Sequence, residues 1–135
     1  MTPGYSGKSL VTKFGLKPNS GFYTFDATLE YMDWLSPLPE GVKHITKLEP
    51  DLAFIHGFFR ERRVFEEQLP TFKAHLEKSG MIWISWLKKS AKIPTNITED
   101  TIREIALPMG LVDVKVCAVS EIWSGLKLVI PVNKR

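Results

Sequence analysis

Val112-Asp113-Val114-Lys115-Val116-Cys117-Ala118-Val119, then Ser120-Glu121-Ile122-Trp123-Ser124-Gly125, then Leu126-Lys127-Leu128-Val129-Ile130-Pro131-Val132 is the stretch on which the fold turns. Its outer parts are rich in β-branched and aliphatic residues and read as strands. Only the six residues Ser120–Gly125 lie between them. A crossover to a parallel neighbour takes about ten residues or more, so these two strands must pair antiparallel. Upstream the pattern changes. Met81–Leu87 and Leu52–Phe59 are nearly continuous apolar runs, as expected of strands buried on both faces. Between them, Arg60–Lys78 sets Val64, Phe65, Leu69, Phe72 and Leu76 on one helical stripe. Pro70 is predicted to open a second helical piece, and Ser79-Gly80 to end it. Thr98 is placed to cap a further helix whose first turn carries Glu99 and Asp100, with Ile102, Ile105 and Ala106 facing inward.

Nearer the start, Phe22–Asp26 reads as a short strand, and Leu29, Met32 and Leu35 predict a helix over Thr28–Leu35. Val42–Leu48 is a weak strand. Only Glu49-Pro50-Asp51 separates it from Leu52, too few residues to return the chain for a second parallel strand. It must therefore end early as an edge piece or run against its successor. Strands alternating with helices imply an α/β fold: a three-layer, Rossmann-like, mainly parallel sheet ending in an antiparallel hairpin. Residues 1–20 are rich in Gly, Ser, Lys and Pro and read as an arm, with one or two helical turns over Ser9–Phe14. Residues 21–135 make the single domain.

The composition is that of an ordinary globular chain: 135 residues, 44% hydrophobic and 24% charged, with a net charge of +3. These values exclude disordered, collagenous and coiled-coil classes and permit an anionic partner without requiring one. The lone Cys117 excludes an internal disulfide and suits a reducing compartment. No apolar run approaches the ~18 residues of a membrane-spanning helix. The expectation is a cytoplasmic protein without membrane contact.

Leu69-Pro70, Leu76-Glu77-Lys78-Ser79-Gly80, Met81-Ile82-Trp83-Ile84 and Met109-Gly110-Leu111-Val112-Asp113-Val114-Lys115-Val116 resemble the central helix-loop-strand and the last helix-to-strand joint of the class I methyltransferase fold. A second resemblance runs nearly end to end. Gly4-Tyr5-Ser6-Gly7, Lys13-Phe14-Gly15-Leu16-Lys17-Pro18, Trp86-Leu87-Lys88-Lys89-Ser90, Leu107-Pro108-Met109-Gly110-Leu111-Val112-Asp113, Lys115-Val116-Cys117-Ala118-Val119 and Trp123-Ser124-Gly125-Leu126 together resemble a bacterial family known as a domain of unknown function. That resemblance implies the methyltransferase-like fold, shortened near its second strand, and carries over no activity.

Adenosyl-methionine enzymes of this fold place a glycine-rich turn after the first strand, where backbone N–H groups approach the cofactor. Here the turn reads Phe25-Asp26-Ala27-Thr28-Leu29-Glu30 and holds no glycine. No cofactor is therefore predicted, and S-adenosyl-methionine remains the alternative. Glu49 stands near the place of the acid that holds the ribose in that fold, but the short link after it leaves its register open. Ser6-Gly7-Lys8-Ser9 imitates the end of a phosphate-binding loop but lacks both the leading glycine and a preceding strand. Tyr5, Ser6 and Lys8 are read instead as residues that dock the arm. His44, His56 and His75 have no metal-type spacing, so no metal is predicted. His56, inside an apolar run, is either a core histidine or a polar group at the ligand crevice.

Ligands of open α/β sheets bind beyond the carboxyl ends of the strands. Leu52–Phe59 is followed by Arg60, Arg62 and Arg63, and Met81–Leu87 by Lys88, Lys89, Ser90 and Lys92. If these strands are parallel neighbours, the cations share one rim; a solvated charged face is the competing reading. The candidate ligand residues are Asp26, Thr28, His56, Arg60, Lys88, Lys89 and Ser90. No catalytic set emerges. The expected function is binding of an anionic small molecule or a protein partner. An adenosyl-methionine-dependent methyltransferase with an unusual turn comes second, and a nucleic-acid-associated basic protein third.

Overall fold

The computed structural model of the chain describes residues 9–135. Tyr5, Ser6 and Lys8 lie outside them. Ser9 caps α1 (Leu10–Phe14) by accepting from the Thr12 backbone N–H, and Gly15 closes it with φ 77°, a left-handed conformation that glycine adopts without strain. Strand β1 (Gly21–Phe25) follows. The helix predicted over Thr28–Leu35 shrinks to α2 (Tyr31–Trp34), and its buried face is not the one expected. Leu29 is 99% exposed, whereas Tyr31 and Leu35, four positions apart, go inside. Strand β2 (Lys43–Ile45) is a three-residue edge strand parallel to β1.

Strand β3 (Leu52–Phe59) lies on the other side of β1, also parallel. The short-link difficulty is resolved by β2 ending early. Ile45 and Ile55 both stand opposite Tyr23, so the chain has only to drop back to Leu52. That is about 10 Å down and about 10 Å across two strand spacings, which the six-residue link can span because it reaches up to about 20 Å.

Helix α3 (Arg62–His75) is continuous, with Pro70 inside it rather than at the start of a second piece. Leu76, expected on the helical stripe, instead begins β4 (Leu76–Leu87), parallel to β3. Leu76 pairs with Leu52, the chain then bulges, and pairing resumes at Met81 opposite Phe54. Ser79-Gly80 thus marks this bulge and not the helix end. A Cβ on Gly80 would lie 3.0 Å from the Ala53 carbonyl oxygen, too close for ordinary contact. Helix α4 (Glu99–Ala106) is capped by Thr98, whose hydroxyl accepts from the Thr101 N–H while the Thr101 hydroxyl accepts from the Thr98 N–H. Strands β5 (Val112–Ala118) and β6 (Trp123–Val129) form the antiparallel hairpin. Trp123, expected in the hairpin loop, opens β6 and is buried at 3% exposure, edge-on to Phe58.

The sheet order is β2-β1-β3-β4-β6-β5. Alternation along the strands divides the core between its two faces. Ile55, Phe59, Ile82, Ile84, Trp86, Leu126 and Leu128 pack under α3 and α4 against Phe65, Leu69, Phe72, Ile102 and Ala106. Phe54, Phe58, Trp83, Leu87 and Trp123 pack under α1 and α2 against Leu10, Phe14, Tyr31 and Leu35. Trp83 and Trp86 occupy opposite faces, as their spacing requires. The Trp83 indole N–H donates to the Phe14 carbonyl (3.0 Å), so α1 is pinned to the sheet. Among the described residues, no helix is long and apolar enough to cross a membrane.

Candidate functional site

Because β3 and β4 are parallel neighbours, their carboxyl ends share one edge of the sheet. Arg60 leaves the end of β3 exposed, with its guanidinium carbon 5.8 Å from the centre of the Trp123 ring. That is cation–π range. The chain leaving β4 turns back at once. The Lys88 N–H donates to the Ile122 carbonyl (2.9 Å), and Lys89–Ala91 form a single 3-10 turn that ends with Lys92 at φ 55°. The following loop crosses to β3, where the Thr95 hydroxyl donates to the Arg60 carbonyl (2.7 Å) and Asn96 Oδ1 accepts from the Arg62 N–H (2.6 Å). Arg60 and Lys88 therefore flank the start of β6, with Lys89 and Ser90 following in the 3-10 turn. Arg62 and Arg63 do not join this rim, being engaged by Glu66, Glu104 and Glu67 along and beside α3.

Asp26 and Thr28 lie at the same edge of the sheet, after β1. Asp26 is exposed and adopts φ 55°, a left-handed conformation uncommon outside glycine that Asp and Asn take more readily than other side-chain-bearing residues. The Thr28 hydroxyl is buried and has no hydrogen-bond partner among the described residues. Leaving such a group unpaired costs about 1–3 kcal/mol.

His56 is set apart from these residues. It is 0% exposed, in the layer between the sheet and α2. Its Nδ1 shares a hydrogen bond with the Tyr31 hydroxyl (2.9 Å) and its Nε2 with the Ser85 hydroxyl (2.7 Å). Phe14 meets the ring edge-on and Phe58 stacks on it. Burial pushes the imidazole down to about 3 and the Tyr31 phenol up, so both stay neutral. The arrangement is that of a satisfied core histidine. Tyr31 is the member of this chain that sequence reasoning passed over; its i, i+4 spacing to Leu35 was the available signal.

No protein-family model matches the chain. No curated protein sequence matches it. Solved structures do. A SAM-dependent methyltransferase from Aquifex aeolicus superposes with a TM-score of 0.71 at 16% identity, covering 90% of this chain and 88% of that one. The fibrillarin pre-rRNA processing protein of Methanococcus jannaschii gives 0.55 at 13%, covering 84% and 67%. LepI in complex with SAM gives 0.57 at 12%, covering 90% of this chain and 39% of that one. At these identities the likeness is one of fold. The chain has the mixed α/β, Rossmann-like methyltransferase fold, with a mostly parallel six-stranded sheet closed by an antiparallel hairpin.

The turn after β1 does not fit an adenosyl cofactor held on bare backbone. Asp26, Ala27 and Thr28 each carry a Cβ, and Asp26 takes a glycine-type backbone conformation with a side chain attached. α2 is a single turn beginning five residues after Asp26, so no long helix starts at this point to direct N–H groups at a ligand.

Proposed function

We propose that this chain is a binding domain on the methyltransferase fold. It takes an anionic small molecule at the carboxyl-end rim through Arg60, Lys88, Lys89 and Ser90, without using S-adenosyl-methionine as the enzymes of that fold do. The observation that carries this reading is the side-chain-bearing turn at Asp26–Thr28 beside a cationic rim joined through Trp123. Trp123 is buried and serves only as the ring against which the Arg60 guanidinium rests, while Arg60 and the lysines provide charge from two strands. On this reading the unit is one methyltransferase-like domain with an N-terminal arm, placed with the bacterial unknown-function family it resembles, acting in the cytoplasm. A protein partner carrying an acidic segment would use the same rim.

The second reading is a true adenosyl-methionine-dependent methyltransferase. It is favoured by the coverage of the Aquifex enzyme, 88% of whose chain is matched. Calorimetric titration separates the two. Neither adenosyl-methionine nor adenosyl-homocysteine should give heat at millimolar concentration, whereas pyrophosphate should bind and change the Trp123 emission. Arg60→Met and Lys89→Met should each weaken pyrophosphate binding about tenfold. Saturable adenosyl-homocysteine binding that disappears in Asp26→Ala would replace the first reading with the second.

A further inference from the structure

At the opposite edge of the sheet, by the amino ends of β3 and β4, lies a second concentration of positive charge. The hairpin register sets Lys115 directly across from Lys127. Like charges in that position repel. Both project on the face covered by α1. The Lys115 ammonium donates to the Lys13 carbonyl (2.9 Å) and so caps the end of that helix, leaving two of its three N–H groups to spare. Lys127 is half-buried, and among the described residues it makes no ion pair. Burial first, and then the neighbouring Lys115 and Lys17, lower its pKa, so its charge is held against both solvent loss and repulsion.

This ammonium borders a cavity. A recess of about 180 Å³ opens between α1 and the sheet, lined in part by Gly15, Lys17, Ser20, Glu77, Ser79 and Met81. Gly15 connects the two features: a Cβ there would lie 3.6 Å from Met81 Cε and 3.8 Å from Lys127 Nζ. Lys17 lines the recess and acts on Lys127 electrostatically. Lys17 thus lines the chamber, the Lys127 ammonium lies beside its Gly15 wall, and Lys115 stands across from Lys127 on the neighbouring strand. Lysine is a point charge suited to phosphate, and several together favour a dianion over a single carboxylate. The chamber itself is not uniformly cationic. Glu77 and the hydroxyls of Ser20 and Ser79 accept hydrogen bonds, which calls for hydroxyl or amine donors on the rest of the ligand.

We propose that this corner binds a small phosphate monoester, its phosphate held among Lys17, Lys115 and Lys127 and its polar body lodged in the adjoining recess. The site is separate from the carboxyl-end rim and does not depend on the function proposed for that rim. The test uses the full chain, titrated with glycerol 3-phosphate and with inorganic phosphate and followed by amide chemical shifts. Saturable shifts at Gly15, Lys17, Met81 and Lys127 are expected whatever the carboxyl-end rim does, with glycerol 3-phosphate the tighter of the two. Lys127→Met should weaken it about tenfold or more while leaving the melting midpoint at or above that of the unsubstituted chain, because a repelling pair is removed. Lys17→Ala, at an exposed position, should give the same direction of loss and guards against a folding defect. Arg63→Met, on α3 at the opposite face of the sheet and outside the rim, should change nothing. The proposal is overturned by absence of saturable shifts at millimolar phosphate, by saturable shifts elsewhere that leave Gly15, Lys17 and Lys127 unmoved, or by equal loss in Arg63→Met.

Discussion

His56 shares the interior with two hydroxyls, and the three groups satisfy one another. One ring nitrogen donates and the other accepts, so loss of any member leaves a buried polar group bare. Tyr31→Phe is expected to cost about 1–3 kcal/mol in urea unfolding with little change in the denaturant slope. A loss below about 0.3 kcal/mol would mean the hydrogen bond does not matter. The same residue sets an acid limit. The folded imidazole titrates near 3, well below its unfolded value of about 6.5, so the unfolded chain binds the extra proton throughout that interval. The contribution of His56 is therefore full above pH 6.5 and shrinks as the pH falls toward 3, by at most about 1.4 kcal/mol per pH unit. Unfolding free energies measured from pH 7 to 4, with His56→Gln for comparison, check this; equal slopes in both proteins would exclude it. At this scale the sequence was partly legible. The apolar run around His56 allowed either a core position or a crevice group, and the structure encloses it. The pairing of Lys17 with Lys127 could not be read, because 110 positions separate them and only the sheet order brings them together.

At the scale of elements, α3 holds an internal strain. Pro70 sits at an exposed position in the middle of Arg62–His75 and has no N–H to give the Glu66 carbonyl. Pro70→Ala should stabilise the chain by about 1–3 kcal/mol, seen as a higher thermal midpoint. An unchanged or lower midpoint would indicate that the proline acts chiefly on the unfolded chain. Opposite α3, Gly57 on β3 admits the rings of Phe59 and Phe72, which a Cβ would approach to 2.6 and 2.8 Å. Gly57→Ala should destabilise by about 1–3 kcal/mol through overpacking. The elements most legible in sequence were those whose signal is uninterrupted: the apolar runs that became β3 and the end of β4, and the Thr98 cap of α4. Misreadings occurred where punctuation had a second meaning. Pro70 read as a break and is tolerated; Ser79-Gly80 read as a helix end and is a bulge; the Leu29–Met32 spacing read as a buried face and is largely solvated.

The whole molecule is a graded sheet. β3 and β4 are flanked on both sides and covered on both faces, while β2 has three residues and β5 is an edge strand with Val114 and Val116 exposed. Amide hydrogen exchange should be slowest at Phe54–Phe58 and Ile82–Ser85 and fastest at Lys43–Ile45, with β5 intermediate. Protection of β2 equal to that of β3 would contradict this gradation. The antiparallel closure was readable from loop length, since six residues can only make a hairpin, and the parallel part from strands alternating with helices; the strand order was not. The carboxyl-end rim followed once β3 and β4 proved to be neighbours.

The strand order also bears on how the chain is made. As it emerges during synthesis, β2 meets β1, β3 meets the free side of β1, and β4 meets β3, each finding its neighbour already present. After β1, which opens the sheet, only β5 is finished before any partner exists, because β6 follows it. At ribosomal speeds the interval between Lys115 and Leu126 lasts about one second. During that interval a strand bearing Val112, Val114 and Val116 waits with both edges unpaired, and it is the segment through which a nascent chain would be most open to association with another.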